Sequence, residues 1–191
     1  MTILSEILEF NDTFVTAKQY EQYATTKFPD KHIVILTCMD TRLTELLPKA
    51  MNLKNGDAKI IKSAGALVTH PFGGIMRSLL VAVYELQADE VYIVGHHDCG
   101  MSSIDTGRII DKMVARGIDK SLFETLKYSG IDMEDWLHGF EDVTKSVEMS
   151  VDAVRNHPLM DIKVPVHGLV VQPDTGKLDI IVDGYKQISK G

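Results

Sequence analysis

The sequence predicts an α/β fold: a mainly parallel central sheet flanked by helices. Two apolar runs, HIVILTC (32–38) and EVYIVGH (90–96), are near-continuous rather than alternating, which is the pattern of strands covered on both faces. Segments with helical spacing separate the strand-like segments, and a strand–helix–strand order implies parallel pairing through right-handed crossovers. Both apolar runs also end in cysteine- or histidine-bearing turns, CMDTR and GHHDCG. In open parallel sheets, ligands bind just beyond the carboxyl ends of the strands.

Each element follows in chain order. Residues 3–20 (ILSEILEFNDTFVTAKQY) carry apolar side chains at helical spacing and read as an amphipathic arm, which the breaker KFPDK ends. The first strand is 32–38, followed by a short helix, TRLTELLPKA (41–50). AKIIKSAGAL (58–67) is a second strand running into a glycine loop. GGIMRSLLVAVYELQ (73–87) is a helix whose buried face is expected at Met76, Leu79, Leu80 and Val83. The third strand is 90–96. Residues 102–155 read as mostly helical, with a helix start at IDMEDW (131–136). VPVHGLVVQPDTGKLDIIVDG (164–184) reads as two strands joined by a DTG turn. The whole chain, 1–191, is expected to be one domain.

Hydrophobic residues make up 45% of the chain and charged residues 25%, enough apolar surface for a core without disulfide staples. The net charge of -7 argues against non-specific binding to nucleic acid or anionic membranes, which rests on basic surface. No signal peptide is expected from MTILSEILEFNDTF, and no apolar run approaches the roughly 18 residues that span a bilayer. A cytoplasmic location is therefore expected. There thiols stay reduced, so Cys38 and Cys99, the two cysteines of the chain, read as buried thiols or metal ligands rather than a disulfide.

The glycine before His96 is expected to break the third strand. If the chain then turns helically, His96 and Cys99, three apart, share a face, and Cys38 arrives from the neighbouring strand. A Cys2His set leaves one tetrahedral position open, as in catalytic zinc sites, and thiolate with imidazole favours zinc over magnesium or calcium. H-x-x-C alone is a weak signal, since cysteine is commonly buried. In CMDTR, Asp40 and Arg42 can pair bidentately at the same edge, or Asp40 can cap the following helix.

At these residues the sequence resembles the β-class carbonic anhydrases, whose signature is C-x-D-x-R followed some tens of residues later by H-x-x-C. Here those are Cys38-Met39-Asp40-Thr41-Arg42 and His96-His97-Asp98-Cys99. The resemblance extends through GDAKIIKSAGALV, the 73–87 helix and VYIVGHHDCG, covering about residues 30–105. It implies a parallel sheet of order 2-1-3-4, to which the C-terminal strand is added. It implies an N-terminal helical arm (1–28) packing on a partner subunit, hence a homodimer or higher oligomer. It further implies one zinc per subunit on Cys38, His96 and Cys99, an Asp40–Arg42 catalytic dyad, and reversible hydration of carbon dioxide by hydroxide on the zinc. Relatives in the small prokaryotic-type branch hydrolyse carbonyl sulfide or carbon disulfide on nearly the same site. Some members bind a regulatory bicarbonate with a Trp-Arg-Tyr set; Ile35 and Lys62 stand at two of those positions here, implying that this site is missing.

Candidates for the substrate pocket are Gly65, Val68, Phe72 and Gly100, with Val68 and Phe72 contributed locally or by the partner, and the Gly100 amide available to a bicarbonate oxygen at a helix start. His70 and His97 are candidate proton shuttles. A zinc-stabilised oligomeric module without catalysis would keep the three ligands but have no need of Asp40 and Arg42.

Overall fold

The computed structural model describes residues 1–188. Among them, helix α1 (Ile3–Thr16) leads through a short 3-10 turn to β1 (Ile33–Cys38), then α2 (Leu43–Ala50) and β2 (Ala58–Ser63). Next come α3 (Gly74–Tyr84) and β3 (Glu90–His96). Four helices follow: α4 (Thr106–Ala115), α5 (Ser121–Tyr128), α6 (Met133–Leu137) and α7 (Val143–Arg155). The chain closes with β4 (Val166–Val171), β5 (Leu178–Val182) and α8 (Gly184–Ile188). The expected helix start at 131–136 is real: the Asp132 carboxylate accepts from the Glu134 amide and caps α6.

The five strands form one sheet in the order β2-β1-β3-β4-β5. The first four are parallel and β5 returns antiparallel to β4 through the turn at Asp174–Gly176, where Gly176 takes φ +74°. β1 lies between β2 and β3 and is buried along its whole length. That position explains its unbroken apolar run: successive side chains point to opposite faces, and each face has a core. Val34 and Leu36 join Val91, Ile93, Met76, Leu79 and Val151 under α3 and α7. Ile33 and Ile35 join Leu43, Leu47, Val94 and Val171 under α2, and Cys38 and Cys99 belong to this second cluster.

On α3 the fully buried residues are Met76, Leu79 and Ala82, with Leu80 and Val83 half-buried against the same core. Gly95 does not break β3. The strand continues through it to His96, with Gly95 opposite Val170. Its role is close approach. A Cβ there would stand 2.8 Å from Val147 Cγ2 and 2.9 Å from Val143 Cγ2, both on α7, so the missing side chain is what lets α7 lie directly on the strand.

α1 buries none of its residues. Ile3, Leu4, Ile7, Leu8 and Phe10 are all more than half exposed. No helix among the described residues is long and apolar enough to cross a membrane.

Candidate metal centre

The register sets the site. Thr37 pairs with Val94 across β1 and β3, and the Thr37 hydroxyl donates to the Val94 carbonyl at 3.0 Å. Cys38 follows on one strand and Gly95 and His96 on the other, so two side chains distant in sequence leave the sheet side by side. The third, Cys99, returns by a tight turn. This turn is not the expected helical one: Asp98 adopts φ +53°, a left-handed conformation that Asp tolerates better than most residues, and it folds Cys99 back over the strand end. The short 3-10 helix Gly100–Ser103 begins only after Cys99.

The ligating atoms of Cys38, His96 and Cys99 lie within 4.8 Å of one another and all three residues are buried. The two sulfurs are 3.9 Å apart. His96 Nδ1 lies 2.8 Å from the His97 carbonyl, and donating to it leaves the lone pair on Nε2. That Nε2 is buried with no hydrogen-bond partner, an expensive arrangement for a nitrogen unless a further group meets it. An orphaned imidazole nitrogen facing two thiols fits a zinc ion. It has the soft donors, three protein ligands and an imidazole whose other nitrogen is fixed by a hydrogen bond.

The electrostatics agree. Burial pushes the Cys38 thiol up, but the His96 ring and the backbone amides of Asp40 and Gly65 outweigh it and bring it to about 7. Burial, with Cys38 close by, pushes Cys99 up to about 11. His96 is raised against the effect of burial, chiefly by Cys38. Cys38 and His96 thus favour each other's charged forms.

Beside the three donors stands Asp40. Its Oδ2 is 3.8 Å from His96 Nε2. Arg42 grips the carboxylate side-on, Nε donating to Oδ1 at 3.1 Å and Nη2 to Oδ2 at 2.9 Å, which holds Asp40 down at about 2. Oδ1 also accepts from the Arg42 amide at 2.9 Å, a tight side-chain turn just ahead of α2, whose own N-cap position, Arg42, has no side-chain cap. A cleft of about 530 Å³, lined by Cys38, Met39, Asp40, Thr41, Arg42, Ala64, Cys99, Gly100 and Met101, opens over this group.

Of the pocket candidates, Gly100 lines the cleft. Gly65 sits behind it at φ +71°, where a Cβ would meet Met101 and Phe140 at 3.1 Å, and its amide faces the Cys38 sulfur. Val68 and Phe72 do not line the cleft: Val68 is half-buried against the core, and Phe72, 70% exposed, packs edge-on against His157. His70 and His97 are exposed. Asp98, Met39 and Met101 were not anticipated. Asp98 was the readable one, an acid between two candidate ligands.

The carbonic anhydrase family model matches residues 33–178 of this chain. The chain belongs to the β-carbonic anhydrase family. A Bacillus subtilis protein, "Putative carbonic anhydrase YtiB", is 63% identical over 185 residues, covering 97% of this chain and 99% of that protein. The crystal structure of the β-carbonic anhydrase isoform I of Trichomonas vaginalis superposes with a TM-score of 0.88 at 38% identity, covering 97% of this chain and all of that one. The carbon disulfide hydrolase of Acidithiobacillus thiooxidans is also related, 28% identical over 159 residues, with 78% of this chain and 76% of that protein covered.

Proposed function

We propose that this chain catalyses the reversible hydration of carbon dioxide to bicarbonate and a proton, using one zinc per subunit held by Cys38, His96 and Cys99. The observation that carries this reading is the buried His96 Nε2, left without a partner between two thiols and next to a carboxylate locked by Arg42. A zinc-stabilised module needs the three donors. It does not need the locked carboxylate.

Zinc bound there supplies Lewis-acid activation of water, and two thiolates, which cancel its formal charge, set that activation on the alkaline side of neutral. Asp40 stays ionised throughout the working range because Arg42 holds it down. An ionised carboxylate only accepts hydrogen bonds, so it selects an incoming oxygen that still carries a proton and turns that oxygen's free lone pair toward the substrate carbon. Arg42 keeps Asp40 facing the cleft instead of swinging onto the metal. Gly100 lines the cleft, and its amide is the donor this reading assigns to a bicarbonate oxygen.

Val68 and Phe72 lie away from this chain's own cleft, so their route to substrate is the partner's cleft. That fits a homodimer or larger homo-oligomer in which α1, whose Ile3, Leu4, Ile7, Leu8 and Phe10 stand exposed among the described residues, packs on the neighbour. The arm, about residues 1–28, then belongs to a single domain that completes itself only by assembly. Neither nucleic acid nor a membrane has a part in this reading, and it sets the enzyme in the cytoplasm.

The test is stopped-flow hydration of carbon dioxide from about pH 6.5 to 9 on protein of measured zinc content, beside Asp40→Ala. Turnover that follows zinc content, rises with pH and falls at least about tenfold in the variant is the expected result. Full zinc with no carbon dioxide turnover at any pH overturns it. The relationship to a carbon disulfide hydrolase makes carbon disulfide and carbonyl sulfide the next substrates to offer.

A further inference from the structure

Arg42 serves two acidic residues. Besides its side-on pair with Asp40, its Nη1 donates to Asp98 Oδ2 at 2.8 Å and its Nη2 donates to the Asp98 backbone carbonyl at 2.9 Å. Four of its five N–H groups are thereby committed, two to Asp40 and two to Asp98. Asp98 makes both contacts from a left-handed backbone, its carbonyl and side chain meeting the same guanidinium. The residue sits between His96 and Cys99, so it joins the turn that carries two metal-ligating candidates to the dyad in the loop after β1.

We propose that Asp98 is a positioning residue for the dyad. It clamps the guanidinium along its Nη1–Nη2 edge, next to the Nε–Nη2 edge that Asp40 holds, so that Arg42 presents a fixed two-pronged face and keeps the Asp40 carboxylate off the metal. Arg42 is 39% exposed, and a guanidinium that open, on a flexible stem, needs a second anchor to hold one rotamer. The side-on pair and the Arg42 amide tie Asp40 and Arg42 only to each other and leave the guanidinium free to shift relative to the ligand turn. Two further bonds to the ligand turn remove that freedom. The clamp rests on the metal-site reading above.

The test separates the two. Asp98→Gly removes the side chain yet keeps the left-handed backbone without strain. Asp98→Asn keeps an acceptor for Nη1 and also tolerates that backbone. Each protein is loaded with cobalt in place of zinc and titrated with thiocyanate, following the cobalt absorption bands. Thiolate-to-cobalt charge-transfer absorption in the parent establishes the metal site, and in Asp98→Gly it shows that the three ligands remain assembled.

With the side-chain half of the clamp gone and only the backbone carbonyl left to hold Nη2, Asp40 competes for the open position, and thiocyanate binding weakens by about tenfold or more in Asp98→Gly. Asp98→Asn restores it. Loss of a negative charge alone predicts the opposite sign, tighter anion binding in both variants. Thiocyanate affinity unchanged or tighter in Asp98→Gly, or equally weak in both variants, overturns the clamp. So does an Asp98→Gly protein that no longer binds cobalt, which would put the role of Asp98 in the ligand turn itself. A parent that binds cobalt without thiolate charge transfer instead defeats the metal-site reading, and the clamp with it.

Discussion

At the scale of single residues, Arg42 is where charge and geometry meet. Its planar fork matches the Asp40 carboxylate at two atoms and still reaches Asp98. A lysine cannot reproduce this, being a point charge on a flexible stem. Arg42→Ala is therefore expected to keep its zinc, by metal analysis, and to lose roughly tenfold to a hundredfold in carbon dioxide hydration, with Arg42→Lys recovering little. Wild-type turnover in Arg42→Ala would remove the dyad from the mechanism. The residues of this site were unequally legible in the sequence. Cys38, Asp40 and Arg42 sit at fixed spacing on one turn, and His96 and Cys99 on another, so short-range pattern was enough to nominate them. Asp98 acts on a partner 56 positions away through a backbone conformation that no residue pattern displays. Val68 and Phe72 were nominated by their nearness to the glycine loop, but nearness in sequence did not bring them to this chain's cleft.

At the scale of elements, the strands were legible because each had two faces to bury, while the reading of Gly95 failed for an equally physical reason. A glycine inside an apolar run looks like an interruption. Here it is a contact surface, and what it contacts is α7, some fifty residues later and invisible to any local window. The consequence is testable. Gly95→Ala puts a methyl group 2.8 Å from one α7 valine and 2.9 Å from another. Helix and strand must part, and the next residue along the strand is His96. The variant is expected to lose about 1–3 kcal/mol of stability by urea unfolding and to bind zinc more weakly, because the imidazole shifts against the two thiols. Trimming the helix side, as in Gly95→Ala combined with Val147→Ala, should return part of the zinc affinity. If Gly95→Ala alone holds zinc as tightly as the parent, α7 does not set the position of His96.

At the scale of the whole molecule, the sheet has two ends with opposite chemistry. The carboxyl ends of β1 and β3 carry the candidate metal centre, and the other end carries a second polar knot around His167 of β4. Its Nδ1 accepts from the Gly184 amide at 3.2 Å, and its Nε2 lies 3.4 Å from Glu90 Oε2. Tyr92 stacks on the ring and Tyr185 meets it edge-on. Both tyrosines donate to Glu90, at 2.8 and 2.6 Å. The knot ties β3, β4 and α8 together. Burial pushes the His167 ring below the ordinary histidine range, against the pull of Glu90 and Asp183. The geometry requires the same, since a nitrogen that accepts an amide hydrogen bond has no place for a proton. The sign follows. Below the ordinary value of about 6.5, the unfolded chain takes up a proton that native His167 refuses, so the native state loses stability as pH falls, by at most about 1.4 kcal/mol per pH unit. Above that value the penalty vanishes. His167→Gln keeps an acceptor for Gly184 and cannot titrate. Urea unfolding at about pH 7.5, 6.5 and 5.5 should therefore show a shallower acid loss in the variant than in the parent. The metal centre, at the far end of the sheet and shared by both proteins, cancels from the comparison. Parallel pH profiles would mean that His167 takes up its proton inside the native fold, with Glu90 near enough to hold it.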